Sequence, residues 1–230
     1  MAEPLGPLRW PCPGSGEDGE WALATDGAAP LARLLIVSPL FDEMNRTRAM
    51  LATLLRDLGA AGVAAMLPDL PGCGESVQDF SAQSLNAWRA AMAAAARHFD
   101  ASHVLALRGG ALVAPPTLPG WALAPLDGDA VLRPLLRAAM LAARAQGEDT
   151  TATTLLETGR ATGIMLGGYR CGAALIAGLH GARSQGEGQQ VLAVGDLGVT
   201  GAAPWLRQEP APAPALAAAL AARIVADLAA

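Results

Sequence analysis

Cys73 lies in the turn Pro71-Gly72-Cys73-Gly74-Glu75-Ser76, directly after the apolar run at 63–67. A thiol between glycines at the carboxyl end of a strand stands on the side where α/β sheets bind ligands, which makes Cys73 a weak candidate nucleophile. A free cysteine is equally at home as a small buried residue. Ser38 and Ser76 offer hydroxyls with less support, and Ser76 reads as the cap of its own turn. Nucleophilic catalysis of this kind needs an imidazole beside the nucleophile and an acid behind the imidazole. Of the three histidines, His98 and His103 precede the next strand–turn and only His180 follows it. His180 reads as a partly exposed helix-end residue. Asp127, Asp129 and Asp196 could fill the acid position, but an acid without base and nucleophile is not a triad.

A second group of polar residues is denser. Pro39-Leu40-Phe41-Asp42-Glu43-Met44-Asn45-Arg46-Thr47-Arg48 follows the apolar run 31–38, so Glu43, Asn45, Arg46 and Arg48 cluster near one strand end. Such a run is a solvated loop with routine charge pairs or a polar binding site. Arg108 bears on the choice. It ends the short apolar run 104–107 and is followed by Gly109-Gly110, so 103–113 reads as strand, sharp turn and the first turn of a helix. In α/β-hydrolases such a turn carries the nucleophile in the pattern G-x-S-x-G. Laid on that pattern, Ala106-Leu107-Arg108-Gly109-Gly110 has arginine in place of serine, and a guanidinium cannot attack a carbonyl carbon. A buried guanidinium needs a carboxylate, so Arg108 is expected to meet Glu43 or Asp69 in a two-pronged geometry.

The elements that would hold these residues alternate in type. Strands are expected at 20–24 (an edge strand), 31–38, 63–67, 104–107, 121–126 and 190–194. Helices are expected at 46–61, 79–99, 130–146, 150–159, 171–181 and 213–228, and 163–167 is an apolar run of uncertain type. Leu54, Trp88 and Leu135 fall on the apolar faces of their helices. This alternation implies βαβ units around a mostly parallel sheet with helices on both faces. Residues 1–30 read as a loose Pro/Gly-rich lead with the edge strand, and 31–230 as one α/β domain. Too little chain remains for a separate lid, which is expected to be absent or reduced to helices within 130–167.

Composition narrows the function classes. Hydrophobic residues make up 52% of the chain but aromatics only 4%, so the core is aliphatic and small. The net charge of −5 argues against a nucleic-acid surface, which needs a basic face. Three cysteines, Cys12, Cys73 and Cys171, are too few and too scattered for a disulfide framework or a zinc site and suit a reducing, cytoplasmic setting. No cofactor or metal is expected. The N-terminus lacks the basic start and apolar run of a signal peptide, and the longest uncharged stretch, 109–126, is broken by four prolines, so no membrane insertion is expected.

Several motifs together resemble one family. The segments Glu43-Met44-Asn45-Arg46-Thr47-Arg48 and Pro68-Asp69-Leu70-Pro71-Gly72-Cys73-Gly74-Glu75-Ser76 are similar to the E-M-N-[KR]-[ST]-R and P-D-L-x-G-C-G-[DE]-S motifs of the exosortase A system-associated hydrolases, the second of the two families with that name. Ala87-Trp88-Arg89, Leu107-Arg108-Gly109-Gly110-Ala111, Gly168-Tyr169-Arg170 and Pro204-Trp205-Leu206 extend the resemblance from about Leu34 to Ala222. The family's elbow reads G-L-R-x-G, from which this chain departs at Ala106. The resemblance implies an α/β-hydrolase fold in a bacterial exosortase or exopolysaccharide system, with arginine at the elbow as a family habit.

Two functions fit these residues. In the first, a noncatalytic α/β-hydrolase homologue binds a polar or acidic ligand, or a protein of such a system, in the former active-site cleft through Glu43, Asn45, Arg46, Asp69 and Arg108. In the second, a hydrolase cleaves an ester, thioester or amide with a non-standard constellation in which Cys73 is the nucleophile.

Overall fold

Leu34, Leu35, Ile36 and Val37 are a run of aliphatic residues with no polar alternation, the mark of a strand covered on both faces. In the computed structural model, which describes residues 5–25, 29–184, 186, 188–207 and 209–230, they lie in β3 (Ala32–Val37) at the middle of a seven-stranded sheet. The sheet order is β1-β2-β4-β3-β5-β6-β9, with β1 at Gly6–Trp10, β2 at Glu20–Thr25, β4 at Val63–Pro68, β5 at His103–Leu107, β6 at Gly120–Leu123 and β9 at Gln189–Leu192. Strands β4, β3, β5, β6 and β9 are parallel, while β1 and β2 join antiparallel at one edge. The three expected central strands are thus adjacent and parallel. The molecule has the α/β-hydrolase-like fold: a mostly parallel sheet with helices on both faces.

The sheet separates two apolar cores. Leu35 and Val37 point to one, with Trp88 and Met92 of α2 (Leu85–His98), Leu132 and Leu135 of α3 (Gly128–Ala145) and Ile176 of α5 (Ala173–Leu179). Leu34 and Ile36 point to the other, with Leu54 and Leu58 of α1 (Asp42–Ala60) and Leu220 and Ile224 of α6 (Pro214–Leu228). Leu54, Trp88 and Leu135 are all buried, as their spacing requires. The Ser84 hydroxyl caps α2 by accepting from the Ala87 N–H. The Trp88 indole N–H donates to the Pro71 carbonyl and ties α2 to the turn after β4.

Residues 128–172 form the only excursion of helices at the strand ends among the described residues, namely α3, α4 (Ala152–Thr162) and a small hairpin of β7 (Ile164–Leu166) with β8 (Tyr169–Cys171). The lid is therefore reduced to this excursion.

Three expectations are corrected. Within the segment expected to be a loose lead, residues 5–25 are ordered against the sheet. Gly6–Trp10 pairs with β2, Trp10 is buried, and β2 lies inside the sheet between β1 and β4. Pro7 is tolerated because β1 is the edge strand, where one side of the backbone has no ladder to complete. The helix expected from Arg46 begins at Asp42, since Asp42 and Glu43 complement the positive end of the helix dipole in its first turn. Cys171 belongs to β8 and not to the helix that follows it.

Trp88 is fully buried between α2 and the sheet, so Trp88→Ala is expected to cost about 3–5 kcal/mol. Chemical denaturation with an unchanged midpoint would contradict that placement.

Candidate functional site

The chain winds in opposite directions from β3 and β5. The connection after β3 runs through α1 to β4 on one side, and the connection after β5 leads to β6 on the other. Loops part at such a switch point and leave a crevice at the strands' carboxyl ends. Arg108 stands there. Leu107 is extended, Arg108 has φ 53°, and a short 3-10 turn at Arg108–Leu112 follows, so the sharp elbow is retained. Gly110 makes it possible: a Cβ there would lie 2.3 Å from the Ser38 carbonyl oxygen at the end of β3.

Phe41, just beyond β3, and Ala124, just beyond β6, also have positive φ, at 56° and 46°. Such backbone costs of order 1–3 kcal/mol per non-glycine residue and gathers where function constrains the chain. Three neighbouring strands thus end in strained residues, two of which, Phe41 and Arg108, line a cleft of about 530 Å³.

The guanidinium of Arg108 is held from two sides. Its Nε donates to Glu43 Oε2 and its Nη2 to Glu43 Oε1, both at 3.0 Å, a two-pronged ion pair. Its Nη1 donates to the Ala124 carbonyl at 3.2 Å, and the group lies 5.1 Å from the centre of the Trp205 ring. Three of the five N–H groups are thereby used. Arg46 is also engaged. Its Nη1 donates to the Trp205 carbonyl, and its Nη2 lies 3.7 Å from Asp42 Oδ2. Asp42 Oδ1 accepts from the Tyr169 hydroxyl, whose own proton is held more tightly than usual by burial and by the Asp42 charge. Tyr169 sits with Phe41, Phe80 and Trp88 in an aromatic cluster that seats the β7–β8 hairpin on the sheet end.

Of the residues singled out from the sequence, Glu43, Arg46 and Arg108 line the cleft. Asn45 and Asp69 do not. Because α1 already begins at Asp42, Asn45 is two residues on from Glu43, on another side of the helix, and it is exposed. Asp69 is buried and structural: Oδ1 accepts from Arg48 Nη1 at 3.3 Å and Oδ2 from the Glu75 N–H at 3.0 Å, closing the turn after β4. Burial pushes its pKa up despite these donors. Gly74 is required there, since a Cβ would lie 2.5 Å from the Asp69 carboxyl.

Cys73 is outside the cleft lining, and burial, with the charges of Asp69 and Glu20, pushes its thiol up to about 12. A thiol raised in this way offers little thiolate for attack. Ser76 caps the turn as expected, its hydroxyl accepting from the Gly72 N–H while donating to the buried Glu20. His180 is exposed and bonds Asp129 at 3.0 Å; neither lines the cleft. Asp127 pairs with Arg183, and Asp196 accepts from the Ala193 N–H.

The residues not anticipated are Trp205, Leu126, Val131 and Arg133, which come from distant segments. Pro204-Trp205-Leu206 carried a motif resemblance; Arg133, exposed on a helix, carried no signal. Pro134, inside α3, has no N–H for the carbonyl of Ala130, and both residues face the cleft. Among the described residues no hydroxyl, thiol or imidazole lines it.

No protein-family model matches the chain, and no curated protein does. Solved structures similar to it include a protein from Agrobacterium vitis S4 assigned to the hydrolases, with TM-score 0.44 and 20% identity over 62% of this chain and 62% of that one. An epoxide hydrolase from an endophytic Streptomyces has TM-score 0.39 and 20% identity over 52% of this chain and 37% of its own. Est1E of Butyrivibrio proteoclasticus, solved with ferulic acid bound, has TM-score 0.37 and 18% identity over 53% of this chain and 54% of its own. The chain thus spans less than two thirds of the length of each of these proteins.

Two measurements follow from this geometry. The Glu43 side chain is 25% exposed and that of Arg108 16%, so solvent partly relieves a stranded carboxylate, and Arg108→Ala is expected to cost about 1–3 kcal/mol. Arg108→Gly should recover roughly 0.5–1 kcal/mol of that loss by accepting the left-handed backbone. Equal melting temperatures for all three proteins would mean that neither the ion pair nor the strain is present. Iodoacetamide at neutral pH should label Cys73 in the native protein only slowly, and rapid stoichiometric labelling would restore it as a reactive thiol.

Proposed function

We propose that this chain is an α/β-hydrolase-fold protein of the exosortase- and exopolysaccharide-associated type that binds a ligand or a protein partner in its strand-end cleft and does not hydrolyse it. One observation carries this reading. The elbow position that presents a nucleophile in hydrolases holds Arg108, and Arg108 is closed onto Glu43 by two hydrogen bonds. A guanidinium so engaged neither attacks nor transfers a proton. The elbow retains its backbone conformation while the reacting atom has been replaced by a fixed charge pair.

Arg108 therefore acts as a strut of the cleft, and Glu43 with it, which changes their part in binding. They shape the floor and bring Trp205 against it. The long matches around Glu43 and Asp69 support a ligand or partner from an exosortase or exopolysaccharide system. The net charge of −5 favours a partner other than nucleic acid. Among the described residues no helix is long and apolar enough to cross a membrane.

The alternative, a hydrolase of an ester, thioester or amide acting through Cys73, has against it the raised pKa of that thiol and its position outside the cleft. Incubation with a fluorophosphonate probe, p-nitrophenyl esters and an acyl thioester separates the two. No covalent adduct and no turnover above buffer are expected. Stoichiometric labelling of a hydroxyl, or turnover lost in Cys73→Ser, would replace the binding reading with the enzymatic one.

A further inference from the structure

Five charged side chains line the cleft, and four of them cancel in pairs. Glu43 is bound by Arg108 at 3.0 Å, and Asp42 lies 3.7 Å from Arg46 while also accepting from Tyr169. The fifth is Arg133, on the second turn of α3. It is exposed, and among the described residues it has no hydrogen bond and no ion pair. Asp129, one turn earlier on the same helix, is occupied by His180 and by the Gly181 N–H. The cleft therefore presents one uncompensated positive charge, at its mouth.

The rest of the wall is apolar. Leu40, Leu126, Val131 and Leu135 come from three separate segments, and Trp205 closes one side. Leu206, which also lines the cleft, is 70% exposed, an apolar side chain left in water beside the opening. A volume of about 530 Å³ lies within the range of small-molecule sites. A polar ligand would find its hydrogen-bonding groups stranded against these walls, and a dianion would find one cation where it needs two.

We propose that the cleft binds a monoanionic amphiphile of the medium-chain fatty-acid class, its chain in the cavity and its carboxylate on the guanidinium of Arg133. This rests on the reading of the cleft as a binding site and deepens it. Recognition would come from apolar burial within and one charge-assisted, two-pronged contact at the rim. The guanidinium of Arg108, already closed on Glu43, would take no part in holding the head group.

Isothermal titration with dodecanoate below its micelle concentration, with dodecanol as the uncharged counterpart, tests this. Dodecanoate is expected to bind about tenfold or more tightly than dodecanol, the worth of one hydrogen-bonded charge contact. Arg133→Ala should remove that preference and leave dodecanol unaffected, and Arg133→Lys should keep part of it. Because Arg133 has no partner to lose, these variants should fold as the parent does. Arg133 also borders a second groove on the far side of α3, lined by Arg137 and His180. Arg137→Ala should therefore leave dodecanoate binding unchanged, and a loss equal to that of Arg133→Ala would move the ligand to that groove and overturn the proposal. Ala138→Trp, at an exposed position on the cleft wall, should weaken both probes. If the two probes bind equally and Ala138→Trp weakens both, the anion proposal fails and the binding cleft stands. If Ala138→Trp leaves both unchanged, or neither probe binds, the proposal fails together with this cleft as the amphiphile site.

Discussion

A guanidinium enclosed at the end of a central strand must be paired, and the arrangement around the cleft follows from how Arg108 meets that demand. The pairing needs a carboxylate at the neighbouring strand end, which is where the first turn of α1 delivers Glu43. It needs the elbow to turn in the left-handed conformation, so that the side chain rises over the sheet, and Gly110 removes the Cβ that would block that turn. The third donor reaches Ala124, which is itself in a left-handed conformation and whose N–H bonds Leu192 of the edge strand β9. One charge thus links the ends of β3, β5, β6 and β9. Trp205 packs beneath the guanidinium and accepts from Arg46, which brings the segment before α6 into the same assembly.

The sheet's interior was plain in the amino-acid sequence because a strand covered on both faces has no choice but an aliphatic run, as 34–37 and 104–107 have. The cost of an unpaired buried charge called for a carboxylate beside Arg108, and the strand–turn placement of Arg108 near the loops at 39–48 and 68–76 narrowed it to Glu43 or Asp69. Other parts were obscured by particular physical facts. The polar residues at 39–48 look like a loop because the solvent-facing side of α1 and its acidic first turn mask the helical register, and that register is what sends Asn45 away from Glu43. The β7–β8 hairpin has strands of three residues each, too short for any periodicity to register. The strand at 6–10 hides behind Pro7, which an edge strand accepts and an inner strand would not. Arg133 and Trp205 enter the cleft from segments 72 positions apart, and proximity of that kind depends on tertiary packing alone.

Asp69, singled out for the cleft, is engaged instead within the turn that carries it. The motif around Asp69 is dense because its residues hold one another: Asp69 accepts from the Glu75 N–H, the Ser76 hydroxyl accepts from the Gly72 N–H and donates a hydrogen bond to Glu20, and Gly74 leaves room for the Asp69 carboxyl. A compact turn with a buried acid needs a closely specified sequence whether or not it does chemistry. Motif density alone therefore separates function from architecture poorly.

The Glu43–Arg108 pair also bears on how readily this scaffold could change its trade. Serine at 108 would find the elbow backbone ready, yet that single change strands the carboxylate of Glu43, which is only partly reached by solvent. A neutral residue at 43 alone strands the guanidinium instead. Each one-step variant is less stable than the present pair, and only their combination escapes the penalty. The ion pair works as an evolutionary ratchet: it bars a gradual route to a nucleophile while leaving intact the turn that would present one.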